Sequence, residues 1–213
     1  MILRTGECVV ERGPARECDM IAAFLQAEIS SHRYSQFILP NLERNRLARA
    51  DLIDRPDLEN EVHNQIRRLL LQYRGYGTNS CLFTGFPTDV VWRFVDIEPH
   101  DHHMLYCAND KSQKSWVEVS EGTRSIQHIA ARLCSMEAAS KTERETATRV
   151  RCIQKDLNSG KMMPPLIAIE AGNERLVLVE GHSRATAYVD LKWPSNIPVV
   201  LGCSTKMREW LYY

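Results

Sequence analysis

The spacing of hydrophobic and polar residues separates a helical N-terminal part of the chain from a mixed C-terminal part. Between residues 18 and 75, apolar residues recur every three or four positions, which predicts amphipathic helices. One helix is expected to start at Asp19 as its N-cap, and a second is expected over residues 56–73. Their apolar stripes are Met20, Ile21, Phe24, Leu25 and Ile29 in the first, and Leu58, Val62, Ile66, Leu69 and Leu70 in the second. The glycine-containing break at residues 75–80 is the predicted hinge between the two parts.

After this break, short runs of β-branched and aromatic residues predict strands. These runs are residues 90–97, 104–107, 116–119, 166–169, 176–179 and 197–200. Helices are expected over residues 125–133, 142–157 and 183–191, with Gly160 as a C-terminal stop and Gly172-Asn173 as a hairpin turn. The pattern predicts an α/β (α+β) protein with a helical N-terminal region over residues 1–80 and a mixed sheet with flanking helices over residues 85–213.

The stretch with the most chemical information is Glu180-Gly181-His182-Ser183-Arg184, where a predicted strand passes directly into a helix. Gly181 permits a tight turn, and the unpaired backbone N–H groups at a helix start favour an anion. Arg184 is expected to reach the same anion with its guanidinium, and His182 and Ser183 to donate to phosphate oxygens. Glu180, at the strand end, is a candidate to hold Mg²⁺ or to accept a proton. The alternative is an ordinary strand-to-helix connection in which Ser183 is the N-cap.

The order of these segments resembles the ParB/sulfiredoxin superfamily. Its members share a strand, a hairpin, a second strand ending in (D/E)GxxR, a helix and an I/VPV strand. The corresponding segments here are residues 165–169, 176–181, 184–191 and 197–200. In that superfamily the GxxR turn binds nucleotide phosphates, so the resemblance implies that Gly181 and Arg184 bind phosphate and that Glu180 occupies the acidic position.

Two departures from the superfamily pattern narrow the expected activity. His182 stands where sulfiredoxins carry their reactive cysteine, so sulfinic-acid reductase activity is not expected. Only a short helix is expected after the last strand, so we expect no C-terminal DNA-reading domain of the partition-protein type. The acidic-Gly-His-x-Arg form is similar to free-serine kinases and to plasmid or phage ParB-like nucleotidases and nucleases. The size and the helical extension also resemble the plasmid fertility-inhibition, or oncogenic-suppression, proteins.

The resulting hypothesis is an enzyme that binds ATP or another nucleotide together with Mg²⁺ and hydrolyses or transfers phosphate, with DNA cleavage as a related activity. Glu180, His182 and Arg184 are its expected catalytic residues, Gly181 to Arg184 bind the nucleotide, and Glu180 holds the metal. The alternative is a regulatory protein of a plasmid or phage that uses the fold without catalysis. In that case the N-terminal helices contact a protein partner.

Two further groups of residues are candidates for chemistry. The segment Glu98-Pro99-His100-Asp101-His102-His103 is rich in metal ligands. In an extended chain His100 and His102 would project to one side and could share a transition metal, whereas the alternative is a polar turn between strands. Glu118 or Glu121, next to the predicted strand at residues 116–119, is a second candidate catalytic acid. For either glutamate alone a solvated surface position is the alternative.

Charge and cysteine content exclude some classes of protein. The 213 residues carry 27 basic and 27 acidic side chains, which argues against a protein that coats DNA without sequence specificity. A neutral net charge does not exclude a local basic groove for DNA. Arg149 or Lys155 is a candidate to line such a groove, and the alternative is a salt-bridged, solvated helix face. The 7 cysteines form no CxxC pair, so a zinc ribbon is not expected.

Without an N-terminal apolar signal or a run of membrane-spanning length, the expected location is cytoplasmic, with no membrane partner.

Overall fold

The computed structural model describes residues 9–110, 114–134, 140–170 and 175–213. The chain is a mixed α/β protein, as predicted. The strands are β1 (Val10–Ala15), β2 (Val91–Ile97), β3 (Leu105–Cys107), β4 (Leu166–Glu170), β5 (Leu176–Glu180) and β6 (Ile197–Cys203). The helices are α1 (Glu17–Glu28), α2 (His32–Arg44), α3 (Glu61–Leu70), α4 (Lys114–Val119), α5 (Ile126–Cys134), α6 (Lys141–Asn158) and α7 (His182–Asp190).

The strands form one mixed sheet in the order β1-β2-β6-β4-β5-β3. β4 is parallel to β6, and β3 is parallel to β5, while the other neighbouring pairs are antiparallel. β4 is buried along its whole length, as expected for a central strand covered on both faces. A continuous apolar run of this kind explains why its position could be predicted from the sequence.

Helices cover both faces of the sheet. Ile167 and Ile169 of β4 pack in one core with α1, α2 and the segment after α3, whereas Leu166 and Ala168 pack in another with α5, α6 and α7. This alternation is the period of two that a strand imposes on its side chains. The helical N-terminal region therefore shares a hydrophobic core with the sheet. The division of the chain into two domains at residues 75–80 stays a prediction.

The N-terminal helices start at different residues from those predicted. α1 starts at Glu17, and Asp19 is not its N-cap: the Asp19 carboxylate accepts from the Arg16 backbone N–H at 2.7 Å, which closes a capping box from the third helical position. α3 starts at Glu61, because Asn60 accepts from the His63 backbone N–H at 3.1 Å and caps the helix there. None of the described helices is both long and apolar enough to cross a membrane.

Two predictions in the C-terminal part need correction. Residues 116–119 are not a strand, because they are the last four residues of α4, where Trp116 and Val119 lie three residues apart on a buried helix face. α6 is capped by Ser140, whose hydroxyl accepts from the Glu143 N–H at 3.3 Å, and not by Thr142. The predicted hairpin turn at Gly172-Asn173 lies outside the described residues.

The sequence pattern missed β1 at the edge of the sheet. Its side chains are mostly exposed, and a register shift between Glu11 and Gly13 marks a bulge in its pairing with β2. Pro14 lies within the strand, where it removes one backbone donor. An exposed strand that contains Gly and Pro lacks the alternation from which a strand is predicted.

Arg67 is the buried charge that joins α3 to the segment before it. Its side chain donates to the backbone carbonyls of Leu52 at 3.2 Å and Asp57 at 2.9 Å, and it also contacts Asn64. The residue is fully buried, and burial lowers the pKa of its guanidinium. Within the described part of the chain, this one side chain is the donor to both carbonyls.

We expect Arg67→Met to lower the free energy of unfolding by about 2 kcal/mol or more, because it leaves the Leu52 and Asp57 carbonyls without their donor. Arg68→Met is the matched control on the same helix. Arg68 has more than half of its side chain exposed and pairs with Glu17 at the surface, so its loss should cost well under about 1 kcal/mol. Urea unfolding followed by circular dichroism measures both, and equal losses would contradict the role assigned to Arg67.

Candidate functional site

The predicted strand-turn-helix at residues 180–184 is present. β5 ends at Glu180, and Gly181 adopts a left-handed conformation with φ of 102° as the N-cap of α7, which starts at His182. A side chain at position 181 would bring its Cβ to 2.6 Å from Leu166 Cδ2 and 3.0 Å from Arg184 Nη2. Glycine is therefore required both for the backbone conformation and for the close packing of the turn on β4.

Arg184 lies behind the turn and holds it in place. Its Nη1 donates to the Pro164 carbonyl at 2.6 Å, and its Nη2 contacts Glu180 Oε1 at 3.3 Å. The residue is 6% exposed, and burial lowers the pKa of the guanidinium while the nearby Glu180 carboxylate opposes that shift. Arg184 thereby connects the end of β5 to the residues that precede β4.

His182, the first residue of α7, is buried and neutral. Its ring stacks on Trp116 with centroids 5.5 Å apart, and its Nε2 accepts from the Ala108 backbone N–H at 3.4 Å. Burial lowers the pKa of His182 to about 4. Because Nε2 accepts, the proton of the neutral ring belongs on Nδ1. Ser183 follows as the second residue of α7, half-buried, and is not the N-cap.

The turn lies beside the end of β3. β3 and β5 are parallel, so their carboxyl ends lie side by side, and residues 108–110 follow β3 next to Glu180 and His182. In open α/β sheets, ligands bind at such carboxyl ends. Asp110 is 6% exposed, and its charge acts on His182, as does the charge of Arg74 from the N-terminal region.

Sequence reasoning missed Asp110, Arg74 and the stacking role of Trp116. Asp110 had a weak signal, because an acidic residue lies three positions after the end of a predicted strand, whereas Glu180 follows its strand directly. Arg74 had no such signal, since it approaches the turn only through tertiary packing. Its Nε lies 3.2 Å from Glu28 Oε1, its Nη1 lies 2.6 Å from the Tyr34 hydroxyl, and its Cζ lies 4.3 Å from the Tyr34 ring centre. Arg74 and Tyr34 therefore contact each other.

The two candidate acids near residue 120 lie on or just after α4. Glu118 belongs to α4, and Glu121 follows it in a left-handed conformation with φ of 50°. Glu121 pairs with Arg132 of α5 and lies 3.4 Å from His128 Nε2. The contacts of Glu121 are therefore with α5. A catalytic role for either glutamate stays a prediction.

The histidine-rich segment does not have the extended form in which His100 and His102 would share a metal. Residues Pro99–Met104 form a 3₁₀ helix, in which His100 is exposed and His102 is buried. His100 lies instead beside Asp101 and Glu98. The 3₁₀ helix comes directly before β3, whereas Ala108, which contacts His182, comes directly after β3. The histidine-rich segment and His182 therefore lie at opposite ends of this strand. The structure therefore does not bring the histidine-rich segment to the turn at residues 180–184.

A cleft of about 760 Å³ lies away from this turn, between α1, α3 and the start of β2. Its lining includes the aromatic residues Tyr76, Phe83, Phe86 and Trp92. Its basic residues Arg68 and Lys206 contact the carboxylates of Glu17 and Asp89. Since these cations already have acidic partners, we favour the helix start at His182 over this cleft as an anion site.

No protein-family model matches the chain, and neither a curated protein nor a solved structure is found to be similar to it. The structure establishes a mixed α/β protein. The resemblance to the ParB/sulfiredoxin superfamily stays an interpretation of the segments around residues 165–200.

We expect Gly181→Ala to lower the free energy of unfolding by about 3 kcal/mol, because strain at positive φ adds to the clash with Leu166. Gly160→Ala is the control, since Gly160 has φ of 79° but a Cβ there meets nothing within 4 Å. The control should lose only about 1 kcal/mol. Equal losses in thermal and urea unfolding would show that the turn does not need the close approach to β4.

We expect the protein to lose stability in mild acid through His182. The unfolded chain takes up a proton near pH 6.5, whereas the folded protein takes it up only near its pKa of about 4. Stability from this group is complete above about pH 6.5 and falls by about 3 kcal/mol as the pH decreases to about 4. His182→Gln retains an acceptor for Ala108 and should remove this component. Urea unfolding between pH 7.5 and 4.5 measures it, and an unchanged pH dependence in the variant would contradict the assignment.

Proposed function

We propose that the chain is a ParB/sulfiredoxin-like nucleotide-binding protein that hydrolyses or transfers phosphate from ATP or another nucleoside triphosphate with Mg²⁺. One observation carries the proposal: α7 starts directly at the carboxyl end of β5, with Gly181 as its N-cap and the half-buried Ser183 in its first turn. The first N–H groups of a helix have no partner within the helix and attract an anion. A nucleotide phosphate is the anion that this arrangement favours.

Each residue of the turn has a distinct role in this proposal. The backbone N–H groups at the start of α7 and the Ser183 hydroxyl donate to a phosphate. Arg184 acts indirectly: its contacts with Glu180 and Pro164 hold the turn in place, and its positive charge favours an anion nearby. His182 is neutral at pH 7 and carries its proton on Nδ1. It is therefore an uncharged hydrogen-bond donor through Nδ1–H. Positioning and charge are the main demands of phosphoryl transfer.

Glu180 is the residue that would hold Mg²⁺. Its side chain is 23% exposed at the carboxyl end of β5, although one oxygen lies 3.3 Å from Arg184. A single carboxylate is enough when the phosphates of the nucleotide supply the other ligands, so the turn fits a metal that arrives with the nucleotide. There Mg²⁺ would neutralise phosphate charge. DNA cleavage is the related activity of the proposal, since a phosphodiester presents similar charge.

The second candidate function is a regulatory protein that contacts a partner through its N-terminal helices. Val62 and Leu69 are 65% and 61% exposed, and their spacing of seven residues puts both on one face of α3. Phe37 of α2 is also about half exposed, and its ring stacks on Tyr73. Exposed apolar residues on neighbouring helices favour protein contact. Nucleotide binding without turnover would favour this candidate.

We expect Ser183→Asp to abolish ATP and CTP binding while leaving the protein as stable as the wild type or more stable. A carboxylate in the first turn interacts favourably with the helix dipole but repels a phosphate. Thr142→Asp is the matched control, since Thr142 is also half-buried and also the second residue of a long helix, α6. Calorimetry measures binding, and phosphate release measures turnover with Mg²⁺, with and without single-stranded or duplex DNA.

Full binding in the Ser183→Asp variant would contradict phosphate binding at α7. Equal loss of binding in the Thr142→Asp variant would also contradict it, because the effect would then not be specific to this helix. Phosphate release that disappears only in Ser183→Asp would support the enzyme. If nicking of DNA is also lost only in the Ser183→Asp variant, DNA is a substrate of the same site.

A further inference from the structure

The segment between β2 and β3 brings three potential metal ligands together at the surface. Glu98 precedes the 3₁₀ helix Pro99–Met104, and His100 and Asp101 lie in its first turn. One ligand atom from each of these residues lies within 4.8 Å of the other two. His103 Nδ1 lies 2.9 Å from the His100 carbonyl oxygen. This local contact holds the turn that presents the ligands.

Two of the three distances between these atoms are close to those between ligands of one metal ion, and the third is within 4.8 Å. His100 Nε2 lies 3.2 Å from Asp101 Oδ2 and 3.6 Å from Glu98 Oε2. Around a tetrahedral ion with bonds of about 2.0–2.1 Å, neighbouring ligand atoms are about 3.3 Å apart. The three atoms can therefore bind one ion after only small side-chain movements. The exposure of His100, at 71% of its side chain, leaves it free to make them.

Asp101 supplies an independent indication of a cation. Its side chain is only 4% exposed, yet Oδ2 makes no hydrogen bond within the described parts of the chain. An oxygen of a buried carboxylate without such a bond is costly, and a bound cation is one of the few groups that satisfy it. This oxygen is also the Asp101 atom that lies next to His100 Nε2.

We propose that Glu98, His100 and Asp101 bind a divalent transition-metal ion of the Zn²⁺ class. One imidazole with two carboxylates favours such an ion, because Mg²⁺ and Ca²⁺ prefer oxygen ligands alone. Three protein ligands leave a fourth position for water or for a ligand of a bound molecule. This site lies at the amino end of β3, so it is separate from the proposed nucleotide site at the other end of that strand.

The test is calorimetric titration of the untagged, full-length protein with Zn²⁺ in the presence of millimolar Mg²⁺. We expect one Zn²⁺ per chain, and about a 100-fold weaker affinity in His100→Ala and in Glu98→Gln. His128→Ala is the matched control, because the His128 side chain is 38% exposed and also lies 3.4 Å from a carboxylate, that of Glu121. It should bind Zn²⁺ within about twofold of the wild type.

Thermal unfolding provides a second measurement. Zn²⁺ should raise the melting temperature of the wild type and of His128→Ala but not that of His100→Ala, because only an ion bound to the native state stabilises it. The proposal is overturned if the wild type binds no Zn²⁺, or if His100→Ala and His128→Ala weaken binding equally. The Ser183→Asp variant should bind Zn²⁺ normally, so failure of the nucleotide proposal would leave this one standing.

Discussion

The arrangement of the candidate site depends on the buried guanidinium of Arg184. A buried charge is costly unless its donors are satisfied, and here the Pro164 carbonyl and the Glu180 carboxylate satisfy two of them. Those partners come from segments that are distant in sequence, so the pairing fixes the end of β5 relative to the residues that lead into β4. With the strand ends fixed, Gly181 can make its close approach to Leu166, and α7 starts in a defined direction. The direction of its free N–H groups follows from that pairing.

The same constraint changes the role proposed for the arginine. From the sequence, Arg184 was expected to reach an anion directly, one turn into the helix. In the folded chain it is buried against Glu180 and Pro164, so the proposal assigns the ligand contacts to backbone N–H groups and the Ser183 hydroxyl. Rigid backbone donors lose little conformational entropy on binding, in contrast to a flexible surface arginine. The proposed site is therefore preorganised by a charge that need not touch the ligand.

The elements predicted best from the sequence are those whose pattern of apolar residues fits only one type of secondary structure. β4 and β5 are continuous apolar runs, and the turn after β5 was identified from Gly181 and the following helix pattern. Prediction was wrong where short segments are ambiguous: the spacing of Trp116 and Val119 fits a strand or a helix, and packing in the core selects the helix. It missed residues that meet only through the fold, such as Arg74 and Asp110. Likewise, whether His100 faces His102 or Asp101 depends on a 3₁₀ turn that the residue types do not specify.

The outer edge of the sheet has a consequence for how the protein behaves in concentrated solution. An edge strand offers unpaired backbone groups on which a strand of another molecule can form. β1 has charged residues at Glu11 and Arg12, a bulge beside Gly13, and a proline that lacks a donor at Pro14. Each of these features weakens pairing with an added strand. The segment that sequence patterns fail to recognise as a strand is thus poorly suited to recruit another one, which protects this edge of the sheet from aggregation.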